Sequence, residues 1–219
     1  MSITKKSPVS GPASVPRRTR RSPQAARDNI LAAAEALLMA KGPQALKLTD
    51  VAAQAGIAHA TVLHHFGTIG DVQTALMERM IQQLVDQILA SYRGVADSDR
   101  VHTGAPFLFD AFESKGSARL AAWLELTGEA RRLTMVRDAV ATVLATRVGQ
   151  TGPEIAAALD RIIVSIVVSL GVGLFGHSLE ELLGRPTGTT RLLALDLLDR
   201  GLPPLGAAPS SSSRGQKKA

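Results

Sequence analysis

The chain contains no cysteine. Disulfides, thiol catalysis and cysteine-ligated zinc or iron–sulfur clusters are therefore excluded, and the lack is consistent with a reducing compartment. Aromatic residues are only 3% of the chain. Glycine (19) and proline (11) are too few among 219 residues for a collagen-like or wholly disordered polymer. Acids are missing from both ends. Residues 1–27 hold seven bases and residues 203–219 hold three, so the other 15 of the 25 bases face all 19 acids and the body is −4. The overall +6 thus lives in the two ends. A basic end can hold a polyanion or serve as a solubilising tail. No apolar core of secretory length occurs in the first stretch, which predicts no leader and a cytoplasmic location.

What is present is apolar material, 45% of the residues, patterned almost throughout at helical spacing. Residues 1–21, rich in Pro, Ser and Arg, read as a disordered arm. Ser22-Pro23 reads as an N-cap with proline in the first turn, and Gly42-Pro43 as the stop. Thr49 is expected to cap a short helix that Gly56 ends. A third helix should run from about His59 to Phe66, and Thr68 should cap a long fourth one to about Tyr92. In that fourth helix Leu76, Met80, Leu84 and Ile88 form an i, i+4 ridge. Further helices are expected at 105–114 and 117–126, across the Leu133–Leu144 face, and at about 153–175 and 188–201, with GHSLEELLGRPTG as an interruption between the last two. Strand alternation with hairpin signals is absent. The expected class is all-α, about nine helices. The division expected is arm 1–21, helix-turn-helix domain 22–68, helical ligand-binding and dimerisation domain 69–202, and tail 203–219.

The uncharged run from Ile162 to Leu179 reaches membrane-spanning length but holds three glycines, three serines and His177. It is expected to be a buried helix, with no membrane partner. Chemistry has little to stand on. On a helix His64 and His65 lie about 140° and 240° round from His59, so the three share no face for a metal. Phosphate loops, nucleophile elbows and His-Glu-x-x-His motifs do not occur. The expectation is no enzyme, no metal and no cofactor.

The informative stretch is LTDVAAQAGIAHATVLHHFGTIGDVQTAL, residues 48–76. Two short helices joined by a turn containing Gly56 make a helix-turn-helix, with a tight αα-hairpin inside a bundle as the alternative that periodicity leaves open. The run L-T-x-V-A-x-x-A-G-I, then A-T-V-L-x-H-F and a long helix, resembles the tetracycline-repressor (TetR/AcrR) family over residues 27–76. The resemblance implies a homodimeric transcription regulator with a small-molecule site in its larger domain. It puts His59, Ala60, Thr61 and His64 on the DNA face, Thr49 near phosphate, and Phe66 in the core. Where the family usually has a capping serine, a tyrosine and a lysine, this chain has Ala58, Leu63 and Ile69. Two phosphate contacts are then missing. Arg17, Arg18, Arg20 and Arg21 are placed to replace them from the arm.

In the second domain Phe107, Phe112, Trp123 and His177 are the candidate ligand-lining residues, on the argument that aromatics between helices make apolar sites. The aliphatic surplus of the last two helices, represented by Ile162, Ile166, Leu170, Leu192 and Leu195, is expected to form a twofold four-helix interface. The partners expected are double-stranded palindromic DNA, a second copy of the chain, and a largely apolar small molecule. The function expected is a repressor released from its operator by that molecule. The alternative is a regulator-like dimer that binds a ligand or protein without specific DNA binding.

Overall fold

The structure is a computed structural model, and it describes residues 22–93, 104–114, 116–129, 135–147 and 153–200. The arm with Arg17, Arg18, Arg20 and Arg21, and the tail from 203, lie outside the described residues. Among the described residues there are nine α-helices, one 3-10 turn at Pro43–Ala45, and no strand. The helices are α1 (Pro23–Lys41), α2 (Leu48–Ala55), α3 (His59–Phe66), α4 (Ile69–Ser91), α5 (Ala105–Ser114), α6 (Ser117–Leu126), α7 (Met135–Arg147), α8 (Pro153–Leu182) and α9 (Thr189–Asp199).

Local chemistry sets most of the ends. The Ser22 hydroxyl accepts from the Ala25 N–H at 3.1 Å, with Pro23 in the first turn. Thr68 and Asp71 form a reciprocal capping box that starts α4. Thr49 does not cap α2. The helix begins one residue earlier, with Lys47 as N-cap and no side-chain cap bond. Leu48 explains the shift: helical from the outset, it packs against the core. Gly56 closes α2 in the left-handed region at φ 65°, the conformation glycine adopts at least cost.

One core runs under the helix-turn-helix and beyond it. Ile30, Leu38, Val51, Val62, Phe66, Val72 and Leu76 are joined there by Leu120 and Leu124 of α6. A smaller cluster joins Val85, Ile88 and Tyr92 of the α4 end to Val143 of α7.

The last two helices depart from expectation. α8 does not stop near 175 but runs unbroken to Leu182. Two of its three glycines, Gly173 and Gly176, are sites of close approach, not breaks. A Cβ on Gly173 would lie 2.9 Å from both the Ala118 Cβ and the Phe112 carbonyl oxygen, and one on Gly176 would lie 2.7 Å from the Thr190 hydroxyl. Close crossing offsets the ~1 kcal/mol that glycine costs in a helix. The break falls instead at Gly184 and Gly188, both at positive φ, around Pro186. Nor is α8 buried. It is long and apolar enough to cross a membrane, and only 11% of its most apolar stretch is buried within the chain. Ile163, Val167 and Phe175 stand exposed along it.

Glu180 fixes the α8–α9 corner. It is 4% exposed and accepts from the Gly188 N–H (3.0 Å), the Thr190 N–H (2.8 Å) and the Thr190 hydroxyl (2.7 Å). Its carboxylate thus takes up free amides at the start of α9. The Thr190 hydroxyl above all, then the Thr190 and Gly188 amides and the nearby His177, hold its pKa below the ordinary 4.5 against the opposing effect of burial. A carboxyl with a lower pKa folded than unfolded stabilises the fold while ionised. That contribution is complete above about pH 4.5 and is lost as pH falls through the folded value. Glu180→Gln should therefore lower the urea midpoint near neutral pH and flatten its fall below pH 4.5. A variant midpoint equal to wild type at neutral pH would refute the role.

Candidate nucleic-acid interface and ligand cavity

The α2–α3 pair is held from behind by α1. Arg27 donates to the His65 carbonyl at 2.5 Å and stacks its guanidinium over the Phe66 ring, 4.1 Å from the centroid. Asn29 donates to the Ala55 carbonyl at 3.0 Å. One helix thus takes up carbonyls at the C-terminal ends of the next two, and its cation sits where the α3 dipole is negative. Arg79 of α4 pairs with Glu35 and donates to the Leu31 carbonyl at 3.1 Å, tying α4 to α1 as well.

Val62 and Phe66 are buried, and they fix which side of α3 faces away. Taking His59 as zero, Leu63, Ala60 and His64 follow at about 40°, 100° and 140°, and all four are exposed. Thr61 lies at about 200° and is half-buried at the margin of that face, and His65, also half-buried, follows on the same side at about 240°. His65 also meets the His64 ring edge-on, with centroids 5.4 Å apart. Thr49 is exposed on the first turn of α2. Ile69 packs against the core and is not available to a phosphate. Ala58 caps α3 with no side-chain bond.

The cavity lies between α4 and the helices from α5 to α9 and has a volume of about 560 Å³. Its wall is mainly aliphatic, with Tyr92, Ser117 and Ser165 as neutral polar groups and Arg161 and Asp199 as the charged ones among the described residues. Of the four candidate lining residues, Phe112 is on the wall. Phe107 packs behind it, against the Val85–Ile88–Tyr92 cluster. Trp123 and His177 are not on the wall. On α6 the inward positions are Ser117 and Ala121, and Trp123 is about 200° round from Ala121. His177 is exposed on the continuous α8, 3.4 Å from Glu181.

Four residues assigned to a dimer surface line the cavity instead: Ile162, Ile166, Leu170 and Leu195. The apolar side chains of α8 cover two faces. The 162, 166, 170 stripe turns inward and the neighbouring 163, 167 positions turn out. Leu192 is exposed at 70%, beside Leu193 and Leu197 on α9. Sequence reasoning missed the α4 contribution. Met80, Leu84 and Ile88 of its ridge line the cavity, joined by Met77, and the ridge itself was the available signal.

Two helices touch both regions. Met77 and Met80 of α4 line the cavity and belong to the core beneath the helix-turn-helix. On α6, Ser117 and Ala121 face the cavity while Leu120 and Leu124 enter that core. Arg119 of the same helix reaches the Met39 carbonyl near the end of α1 at 3.4 Å.

Residues 30–72 match the family model described as bacterial regulatory proteins, tetR family. No curated protein matches the chain. Solved structures match along most of it. The multidrug binding protein EbrR complexed with imidazole is 20% identical, with 85% of this chain and 98% of that one covered and a TM-score of 0.58. A TetR-family transcriptional regulator from Streptomyces coelicolor is 18% identical, covering 83% and 100%, with a TM-score of 0.57. The regulator FadR from Bacillus subtilis in complex with stearoyl-CoA is 14% identical, covering 80% and 99%, with a TM-score of 0.56. At these identities the likeness is one of fold. A helix-turn-helix that matches the model of bacterial regulatory proteins of the tetR family over residues 30–72 stands here on an all-helical fold similar to that of a solved tetR-family regulator.

Proposed function

We propose that the protein is a homodimeric, cytoplasmic transcriptional repressor that a small apolar molecule releases from a palindromic operator. The observation that carries this reading is the sharing of α4 and α6 between the cavity wall and the core under the helix-turn-helix. A ligand that alters the wall then bears on the packing that orients α3. His59, Ala60 and His64 meet the bases from the outward face, with Thr61 at its margin and Thr49 at a phosphate. The division at about residue 68 is one of role, since Leu120 and Leu124 complete the core of the DNA-binding part.

EbrR was solved with imidazole and with ethidium, and FadR with stearoyl-CoA. The aliphatic wall here supports a largely apolar ligand with its polar end toward Arg161 and Asp199. Linkage makes coupling reciprocal. Saturating operator DNA should raise the inducer's apparent dissociation constant by the factor by which inducer weakens DNA binding. Trp123 fluorescence should report movement of α6. Inducer affinity that is indifferent to operator would sink the mechanism.

The dimer reading rests on the exposed apolar side chains of α8 and α9, led by Ile163, Val167, Leu192, Leu193 and Leu197. A second copy packing the same pair buries them in a four-helix interface and removes the exposed apolar length of α8 from water. Val167→Glu should give a monomer by light scattering at micromolar concentration while helix content is kept. A dimer of unchanged mass would place the interface elsewhere.

Ile69 and Leu63 favour a second reading, a ligand-binding dimer without specific DNA recognition, which selection from random duplexes would separate from the first. In the main reading the arm neutralises the phosphates that α3 and α4 leave unmet. Deleting residues 1–21 should shrink the slope of log affinity against log salt by about 0.9 for each phosphate that is no longer neutralised. An unchanged slope would make Arg17, Arg18, Arg20 and Arg21 a solubilising tail.

A further inference from the structure

We infer that Leu63 is a specificity-determining residue that packs against the C5-methyl group of a pyrimidine, thymine in unmodified DNA, in each operator half-site. The inference rests on the DNA-binding reading above and adds to it a base class. Leu63 is a leucine left 40% exposed on an eight-residue helix. It cannot swing inward, because Val62 at 0% and Phe66 at 9% exposure already fill the side facing the core. Around the helix Leu63 and Ala60 lie between His59 and His64 on the exposed arc, with His64 opposite the direction in which Val62 and Phe66 enter the core. The side chains of Leu63 and Ala60 neither donate nor accept a hydrogen bond. The stretch of exposed arc between the two histidines is therefore apolar.

The major groove offers one apolar feature that distinguishes bases, the methyl group at C5 of thymine. An exposed leucine on a face inserted into that groove meets it by dispersion and by removing its own exposed methyls from water. A hydroxyl or amine at this position would instead reach phosphate or a base edge. 5-Methylcytosine carries the same methyl group in the same place, so the chemistry recognised is the C5-methyl pyrimidine.

The test uses the full-length protein and an operator selected from random duplexes. Each thymine of a half-site is replaced in turn by deoxyuridine, which keeps every hydrogen-bonding group and removes only the methyl. At one position per half-site the wild type should lose about fourfold in affinity, and roughly fifteenfold when both half-sites are changed, as expected from ~0.8 kcal/mol per buried carbon. Leu63→Ala should bind the thymine and deoxyuridine operators equally, and its exposed position leaves the fold intact. At the same position, 5-methylcytosine paired with guanine should bind better than cytosine, which separates recognition of the methyl from recognition of the thymine edge. Equal affinity of the wild type for thymine and deoxyuridine operators at every position would overturn the inference, as would a Leu63→Ala variant that keeps the discrimination. Failure to enrich any sequence would overturn the DNA-binding reading itself, and this inference with it.

Discussion

The packing of Leu120 and Leu124 into the core beneath α1–α4 is the constraint on which the rest depends. A short helix-turn-helix cannot bury enough surface alone. Its two eight-residue helices are shorter than what is stable in isolation. Each fully buried leucine contributes about 1.5–3 kcal/mol. Two of them, delivered from a helix more than fifty residues downstream of α3, make the helix-turn-helix part of one cooperative body. The same helix presents Ser117 and Ala121 to the cavity. Stabilisation of the helix-turn-helix and lining of the cavity are then properties of a single rigid rod. A shift tolerated at one face must be taken up at the other, because interiors at crystalline density do not absorb displacement locally.

α8 meets a comparable double demand in a different way. It closes the cavity with one stripe and leaves a second, equally apolar stripe to solvent. Glycine makes this possible on the cavity side. Gly173 lets α8 touch the α5 backbone and Ala118, and Gly176 lets it touch Thr190. Glu180 then turns the chain so that α9 returns alongside. The exposed stripe and the cavity wall are one residue apart in register along the same helix. Whatever covers the outer stripe therefore also sets how rigid the inner wall is.

Local signals in the sequence were legible, and tertiary assignments were less so. Ser22, Thr68, Gly56 and the helix limits at 59–66, 105–114 and 117–126 follow from caps, breakers and periodicity, which act within a few residues. Thr49 failed as a cap because core packing of Leu48 outweighed a favourable side chain. The break expected after 175 failed because glycine signals both an end and a close crossing, and only the neighbouring helix decides between them. Ile162, Ile166, Leu170 and Leu195 were recognised as surplus aliphatics and assigned to a dimer surface, whereas they line the cavity. On a helix apolar all round, periodicity carries no phase. Trp123 and His177 were chosen by residue type, whereas the wall is built mostly from aliphatics that look like any core. The α3 face was the most readable part of the site, since Val62 and Phe66 fix its rotation by themselves.

Charge divides labour in this molecule. The outward face of α3 holds two histidines, an alanine and a leucine, with no lysine or arginine. Its cationic neighbour, Arg27, is occupied at the back of the helix with the His65 carbonyl and the Phe66 ring. Ile69, where a cation would flank the reading helix, is packed into the core. Phosphate neutralisation is the main source of affinity and carries no sequence information, whereas base-edge contacts carry information and modest energy. In this chain the two sources are physically separate. The clustered cations belong to the acid-free segment before Ser22, and the outward face of α3 carries neither lysine nor arginine. On the function proposed above, a ligand-driven reorientation of α3 acts on sequence discrimination first. If the arm is what holds phosphate, such release proceeds through loss of register rather than loss of charge.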